Sequence, residues 1–294
     1  MALHHAARGE SMKAGFNLLL WTSHVTEQHF PLLQKLKKAG YDGVEIPILE
    51  GAPSHYVKVL QAVRDNGLAC AVVTNMPDAS HNPVSPEKAL RDNALDFMKR
   101  VIDCTHALET DLLCGPFYQP VGVFTGTGPT DEEKRRAAEH ARKSAEYAAP
   151  AGITLAVEFL NRFEAYVLTT MDQVAEHVKS VGMPNFRAMF DTFHANIEEN
   201  DPVASIRAHR DIITHMHLSE NNRGVPGRGH NDWKAIFRTL RSSGYDNWLT
   251  IEAFGRVLPA FAAATRIWRD IFESPEALYT EGIRFIRQQW NAAA

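Results

Sequence analysis

The sequence has few cysteines, no long apolar run and no excess of positive charge, and each shortage argues against a class of protein. Its three cysteines, Cys70, Cys104 and Cys114, form no Cys-x-x-Cys pair, so a disulfide framework is disfavoured and a reducing compartment is expected. The apolar runs are far shorter than the ~18 residues that a transmembrane helix needs. A net charge of −4 provides no basic stripe for a nucleic acid.

The first residues also lack the features of a targeting segment. Residues 1–11 contain no apolar core of a secretory signal, and a second methionine, Met12, stands directly before the first strand-like run. We therefore expect residues 1–11 to be a disordered leader and residues 12–294 to form one domain. A cytoplasmic location fits these features.

What the sequence does contain is a regular alternation of short β-rich runs and longer amphipathic stretches. Eight such runs are each followed by a helical stretch, which favours parallel strands joined by crossover helices. Because one (β/α)8 barrel takes about 250 residues, we predict an α/β fold with a single TIM barrel. A doubly wound open sheet is the alternative.

The expected elements cover most of the chain after residue 12. The predicted strands span residues 14–20, 43–47, 68–74, 111–114, 153–158, 187–191, 212–217 and 248–252. The predicted helices span residues 27–39, 54–66, 86–107, 131–149, 171–181, 202–208, 233–242, 259–272 and 275–290.

The last four predicted strands each end at a residue that can bind a metal ion. These residues are Glu158, Asp191, His217 and Glu252, and they are 33, 26 and 35 residues apart. In a closed parallel barrel, all four ends lie at the face where TIM-barrel active sites are found. Three carboxylates confined there would repel each other unless a divalent cation bound them. This donor set suits Mn²⁺, Mg²⁺ or Co²⁺, and Zn²⁺ accepts it as well.

Further polar residues follow the same strands and are placed to bind a polar ligand on the metal. They are Asn161, Arg162, Glu164, His194 and Arg223. Arg162 is equally suited to a structural ion pair, and His194 to a helix cap or the core. His215 shares a strand face with His217, where it either supports that ligand or serves the fold.

At these positions the chain resembles the D-tagatose 3-epimerase family, which includes D-psicose (D-allulose) 3-epimerases and L-ribulose 3-epimerases. The resemblance covers nearly the whole chain from Met12. It is strongest in VEFLNRFEAYVLTT, MFDTFHANIEE, HLSENNRGVPGRGHNDW and TIEAF. It implies a xylose isomerase-like TIM barrel whose Mn²⁺ or similar ion is held by Glu158, Asp191, His217 and Glu252.

The resemblance also implies a reaction, which is reversible inversion at C3 of a free ketohexose or ketopentose. The pairs are fructose and psicose, tagatose and sorbose, or ribulose and xylulose. The C3 proton is acidic because it lies next to the C2 carbonyl, and its removal gives an enediolate. The implied acid–base groups are Glu158 and Glu252, one on each face of the sugar. The implied contacts to the O1 and O2 end are Glu164, His194 and Arg223.

The N-terminal half matches this family less well. The residues expected around the O4 to O6 end of the sugar are Trp21, Asn75, Cys114, Tyr118 and Phe254. Aromatic side chains are suited to the apolar face of a sugar. Because we find no Walker-type phosphate loop, a free sugar is favoured over a sugar phosphate.

Other functions remain open at this point. An aldose–ketose isomerase of the hydroxypyruvate or rhamnose isomerase type would keep the barrel and change the product. A metal-dependent hydrolase of the endonuclease IV type would collect several metal ions and more histidines. A sugar-binding protein without turnover is the remaining option. The resemblance implies a homodimer or homotetramer.

Overall fold

The computed structural model describes residues 12–293, so the expected leader at residues 1–11 lies outside the described residues. Residues 12–293 contain eight parallel strands that pair in chain order and close into a barrel, since β1 also pairs with β8. The strands are β1 (Lys13–Asn17), β2 (Gly43–Pro47), β3 (Ala69–Val73), β4 (Leu112–Gly115), β5 (Thr154–Val157), β6 (Phe186–Asp191), β7 (Ile213–Leu218) and β8 (Trp248–Ile251). The TIM-barrel prediction is confirmed, and the open sheet is wrong.

Helices follow the strands and form the outer layer. They are α1 (Phe30–Ala39), α2 (Pro53–Asp65), α3 (Lys88–Ala107), α4 (Asp131–Ala148), α5 (Met171–Val181), α6 (Thr192–Glu198), α7 (Pro202–His209), α8 (Trp233–Ser242), α9 (Pro259–Ala264) and α10 (Pro275–Ala292). Their apolar faces pack on the outside of the strands. In α8, for example, Trp233, Ile236, Phe237 and Leu240 are buried at the spacing of one helix face.

Two elements end three or more residues before the predicted position. The first strand was expected over residues 14–20, but it ends at Asn17, whose side chain accepts a hydrogen bond from the backbone of Leu19 and starts a 3-10 turn. The helix expected over residues 259–272 ends at Ala264. There the Ile267 N–H bonds the Ala262 carbonyl, and Arg266 takes the left-handed conformation with φ 57°.

One helix was missed. No helix was predicted between residues 192 and 201, yet α6 begins directly at Thr192. Asp191 accepts hydrogen bonds from the backbone N–H groups of Phe193 and His194, which caps the helix. The last residue of β6 is therefore also the N-cap of α6, so His194 lies on a helix.

Trp248, the first residue of β8, fills the N-terminal end of the barrel. A Cβ atom on Gly43 would come within 2.4 Å of its ring, so only glycine fits there. The ammonium of Lys13 lies 5.5 Å from the ring centroid. Trp248 thus packs the barrel interior at this end, whereas TIM-barrel active sites lie at the opposite end.

Among residues 12–293, no helix combines the length and the apolar character that a bilayer crossing requires.

Two buried histidines on the outer layer predict a dependence of stability on pH. Burial, together with the neighbouring His177, lowers the pKa of His140 to about 3, and burial lowers the pKa of His177 to about 4. Protonation therefore favours the unfolded chain. The free energy of unfolding should be fully retained above pH 6.5 and fall as the pH drops toward 4.

At pH 5, each of these two histidines should lower the free energy of unfolding by about 2 kcal/mol relative to its value above pH 6.5. Urea unfolding at pH 7.5 and pH 5 measures this loss in the wild-type chain. The double variant His140→Gln/His177→Gln carries no titrating group there and should show a smaller loss. An equal loss in both proteins would contradict the prediction.

Candidate active site and metal centre

The four strand-end residues meet at the C-terminal end of the barrel. Asp191 ends β6 and His217 lies in β7, while Glu158 and Glu252 directly follow β5 and β8. One ligand atom from each lies within 4.8 Å of the others, and all four residues are buried. The structure therefore brings together the four residues that the sequence singled out as metal ligands.

Asp191 and His217 each direct one free polar atom at the same point. The Oδ1 atom of Asp191 is used to cap α6, and its Oδ2 atom has no hydrogen-bond partner among the described residues. The Nε2 atom of His217 bonds the carboxylate of Glu45, and its Nδ1 atom is likewise without a partner there. Buried polar atoms left unpaired are costly, and a cation between them removes that cost.

The three carboxylates surround this free nitrogen. Its distances are 3.3 Å to Glu252 Oε1, 3.6 Å to Asp191 Oδ2 and 3.9 Å to Glu158 Oε1. Three carboxylate oxygens and one imidazole nitrogen form a donor set for a divalent cation such as Mn²⁺, Co²⁺, Mg²⁺ or Zn²⁺. The residues present therefore fit a metal ion.

The pKa values show that burial and mutual repulsion disfavour the charged form of two of the three carboxylates. Burial raises the pKa of Glu158 well above its usual range, and the charges of Glu252 and Asp191 raise it further. Burial also raises the pKa of Glu252, to about 7. For Asp191, burial acts in the same direction, but the contacts with His217, His194 and Arg223 outweigh it and hold the pKa at about 2. Two of the three carboxyls thus favour a bound proton when no metal is present.

Arg223 ties several active-site loops together. Its guanidinium lies between the rings of Phe193 and Phe254, 4.1 and 4.4 Å from their centroids. One nitrogen of the group donates to Glu252 at 3.0 Å, and the other lies 3.5 Å from Glu164. Its backbone has φ 59°, an uncommon conformation for a residue other than glycine, which this packing maintains.

His194 presents an N–H group close to the same cavity. The backbone N–H of Asn161 donates to its Nδ1 atom at 2.9 Å, which places the imidazole proton on Nε2. Burial lowers the pKa of His194 to about 4, so the ring is neutral at pH 7. The Nε2 atom lies 3.1 Å from a guanidinium nitrogen of Arg223. Two donors this close are favourable only when they share an acceptor, such as a ligand oxygen.

A cavity of about 440 Å³ opens above the metal centre. Its walls include Glu158 and Glu252 together with Glu164, His194 and Arg223. The far side is mainly apolar and comes from the ends of the first four strands and the loops after them, with Leu19, Leu49, Val73, Met76 and Val123, and from α9, with Phe261, Ala263 and Ala264. The cavity thus has a charged end at the metal centre and an apolar end.

Two of the five residues expected at the sugar tail line this cavity, namely Asn75 and Phe254. Within residues 12–293, its wall does not include Trp21, Cys114 or Tyr118. Trp21 packs on Phe16 at a centroid distance of 5.1 Å. The Cys114 thiol donates to Glu45 below the metal centre.

The hydroxyl of Tyr118 forms its hydrogen bonds with the backbone. It donates to the Leu168 carbonyl at 2.8 Å and accepts from the Leu160 backbone at 3.2 Å. Arg162 is also structural, since it forms a bidentate pair with Glu198 at the surface. This ion pair joins the loop after β5 to α6, and Arg162 is directed away from the cavity contacts described above.

Sequence reasoning missed two residues that contact the ligand set. Glu45 on β2 bonds His217, and the amide of Asn17 donates to Glu252 Oε1 at 3.1 Å. The sequence does mark Glu45 as a candidate, because a glutamate inside the otherwise apolar run GVEIP is unusual. It does not mark Asn17, because an asparagine at a strand end is common.

Comparison with known proteins agrees with this architecture and site. The family model of the xylose isomerase-like TIM barrel matches residues 33–289. The chain belongs to that family. Within it, the chain groups with the ketose 3-epimerases, so the resemblance stated above is confirmed.

The similar proteins include enzymes and solved structures of that group. A D-psicose 3-epimerase of Ruminiclostridium cellulolyticum is 31% identical, over 88% of this chain and 90% of the relative. A structure of L-ribulose 3-epimerase superposes with a TM-score of 0.91 at 29% identity, covering 96% of this chain and 95% of that one. A D-psicose 3-epimerase of Clostridium cellulolyticum H10, solved with D-tagatose, gives a TM-score of 0.86 at 29% identity, covering 95% and 99%.

Proposed function

We propose that this chain is a metal-dependent ketose 3-epimerase, which reversibly inverts C3 of a free ketohexose or ketopentose. The observation that carries the proposal is the pair Glu158 and Glu252. They stand after β5 and β8, three strands apart around the barrel, and both line the cavity and face His217. Two carboxylates that flank a ketose are what removal and return of a C3 proton on opposite faces require.

The chain's own residues account for the proton transfers. One of Glu158 and Glu252 removes the C3 proton, which gives an enediolate, and the other delivers a proton to the opposite face. Arg223 donates to Glu252 and Asn17 donates to its other oxygen, so this carboxylate is held in one orientation. A divalent cation held by the four ligands supplies electrophilic stabilisation of the negative charge that develops on the sugar oxygens.

The substrate is oriented by donors at the charged end of the cavity. The Nε2–H of His194 and the guanidinium of Arg223 lie 3.1 Å apart and are suited to share one oxygen at the O1 and O2 end of the ketose. Glu164, which lies 3.5 Å from Arg223, is placed to accept from a hydroxyl at the same end. The apolar walls with Phe254 would then face the carbon chain of the sugar.

We also propose Mn²⁺ as the ion, since carboxylate-rich sites with one imidazole suit it. Three buried free cysteines support a cytoplasmic location. A homodimer or homotetramer is supported by Phe163 and Trp268, two large aromatic side chains that are 65% and 68% exposed.

A ketose panel tests the reaction. Metal-loaded protein is incubated separately with D-fructose, D-tagatose and ribulose, each with Mn²⁺, Co²⁺ or Mg²⁺, and the products are separated by chromatography. We expect the C3 epimer of at least one ketose, and in ²H₂O we expect deuterium at C3 of the product.

Three other results would contradict the proposal. An aldose product would indicate an aldose–ketose isomerase, and three metal ions per chain would favour a hydrolase. Sugar binding without any turnover or deuterium exchange would indicate a binding protein. An assay of the same protein after chelation serves as the control for non-enzymatic exchange.

A further inference from the structure

A fully buried carboxylate lies directly beneath the metal centre. Glu45 on β2 has no exposed surface, and its two oxygens point at two different histidines. Oε1 is 2.8 Å from His217 Nε2, and Oε2 is 2.7 Å from His215 Nε2. The Cys114 thiol donates to Oε2 at 3.3 Å. No lysine or arginine in residues 12–293 forms an ion pair with it.

These contacts decide which nitrogen of His217 carries the proton. An ionised carboxylate can only accept hydrogen bonds, so the His217 Nε2 atom beside Glu45 must be the donor. The other nitrogen, Nδ1, faces Glu158, Asp191 and Glu252, so that its lone pair is available to a cation bound among these carboxylates. A metal-binding histidine whose second nitrogen bonds a carboxylate is held in one tautomer and one orientation.

His215 fixes the carboxylate itself. Two residues before His217 on the same strand, it faces the same side and occupies the oxygen of Glu45 that His217 does not use. With both oxygens bonded, the carboxylate cannot rotate away from His217. The arrangement joins β2 to β7 across the barrel interior, where water cannot replace a lost contact.

We propose that Glu45 is a positioning residue for the metal centre, which presents His217 to the cation through Nδ1 and is itself held by His215. The inference rests on the metal site of the proposed function. It gives a role to the buried carboxylate of Glu45 and to His215, neither of which takes part in the proposed proton transfers.

A different interpretation would place a second ion among these residues. Glu45, Cys114, His215 and His217 each offer a ligand atom within 4.8 Å of the others. However, two ligands of one metal ion, each about 2.1 Å from it, stand more than 3 Å apart in a tetrahedral site. The nitrogen–oxygen distances of 2.7 and 2.8 Å are hydrogen-bond lengths. The geometry therefore favours shared protons over a second cation.

Metal affinity of the whole chain tests the proposal without depending on turnover. The protein is stripped of metal and titrated with Mn²⁺ by calorimetry, and Co²⁺ absorption spectra are recorded at saturation. Glu45→Gln keeps the size of the side chain and removes its charge. We expect Mn²⁺ to bind about 10- to 100-fold more weakly and the Co²⁺ spectrum to shift.

Glu220 provides a matched control. Its carboxylate is also fully buried and accepts from the Gly227 backbone at 2.7 Å and from the Trp233 indole at 2.8 Å. None of its side-chain hydrogen bonds goes to the four metal ligands. Glu220→Gln should destabilise the chain while leaving the Mn²⁺ affinity and the Co²⁺ spectrum as in the wild type.

Several outcomes separate the possibilities. A wild-type chain that binds Mn²⁺ and a Glu45→Gln variant that binds within threefold of it would overturn the role of Glu45 alone. Two ions per wild-type chain would do the same, because Glu45 would then be a ligand. A wild-type chain that binds no divalent cation would overturn the metal site of the proposed function as well.

A measurement on the wild-type chain removes any dependence on the folding of the variant. Nitrogen-15 spectra of histidine-labelled protein loaded with Mg²⁺ distinguish the two ring nitrogens of His217. We expect a protonated Nε2 and an unprotonated Nδ1. The opposite assignment would contradict the proposal.

Discussion

Replacing either Glu158 or Glu252 by glutamine should lower the turnover of a ketose by about 10²- to 10⁴-fold. Glutamine keeps the shape of each side chain and can neither remove nor deliver the C3 proton. Both glutamates also belong to the metal cluster, so bound metal must be measured in each variant and the assay run at metal saturation. Glu133→Gln, a change in the capping box of α4 that lies outside the cavity wall, should retain full turnover.

Deuterium exchange gives these variants a sharper readout than turnover. If each glutamate serves one face of the sugar, a variant that lacks one base should still exchange the C3 proton of the epimer that faces the remaining base. Glu158→Gln and Glu252→Gln should therefore exchange opposite epimers in ²H₂O without interconverting them.

This pattern distinguishes two bases from one. A single base on one face would leave one variant inactive for both epimers and the other nearly unaffected. A fully active Glu252→Gln protein would contradict the two-base mechanism. Mass spectrometry of the recovered sugars measures the exchange.

Removing the metal should lower turnover more than 100-fold and lower the stability of the chain. Without a cation, burial favours a proton on Glu158 and on Glu252, and protonated carboxyls are poor bases. Chelation followed by desalting gives the metal-free protein, and Mn²⁺, Co²⁺ or Mg²⁺ should restore activity. At an ion concentration 100 times the Kd, the stability should rise by about 2.7 kcal/mol.

The same cluster of carboxylates predicts how the affinity for Mn²⁺ depends on pH. The pKa of Glu252 is raised to about 7, so a cation must displace a proton from it below that pH. Mn²⁺ affinity should therefore increase as the pH rises from 6 to 8, and calorimetry in buffers of different ionisation enthalpy should detect proton release. Asp191→Asn removes the one carboxylate of the metal cluster whose pKa is lowered, and added metal should neither stabilise this control variant nor restore its turnover. Affinity that is independent of pH would contradict this account.

The barrel and its four strand-end ligands were open to prediction because both depend on local regularities of the sequence. Strand and helix alternate by hydrophobic period, and a parallel barrel places all strand ends on one face. The position of Glu158, Asp191, His217 and Glu252 along the chain was therefore enough to bring them together. No contact between distant residues had to be known in advance.

Three of the five residues expected at the sugar tail lie outside the cavity wall, for the opposite reason. A tyrosine after a strand can either face the cavity or bond the backbone, and the sequence does not distinguish these two conformations. The Tyr118 hydroxyl forms hydrogen bonds with the backbone of Leu168 and Leu160, which lie more than 40 positions further along the chain. The same long-range dependence concealed the pairing of Glu45 with a histidine 172 positions further along the chain.

The end of α9 shows a different limit. Helix ends are recognised in sequences by glycine in the left-handed conformation, and here Arg266 occupies that position. The alanine-rich stretch before it continues to favour helix, so residues 265–272 were included wrongly. A helix end at which a residue other than glycine takes the left-handed conformation lacks this signal in the sequence.

Side chains around Arg223 can be exchanged less freely than side chains at the apolar end of the cavity. Clamped between Phe193 and Phe254 and bonded to Glu252, Arg223 couples the loops that follow β6, β7 and β8 into one unit around the chemistry. Much of the apolar end of the cavity comes from the loops after β1 to β4, with side chains such as Leu49 and Val123, and the rest comes from Phe254 and the α9 segment after β8. Directed evolution aimed at a different ketose can begin with the early loops, because they carry none of the four metal ligands and neither His194 nor Arg223.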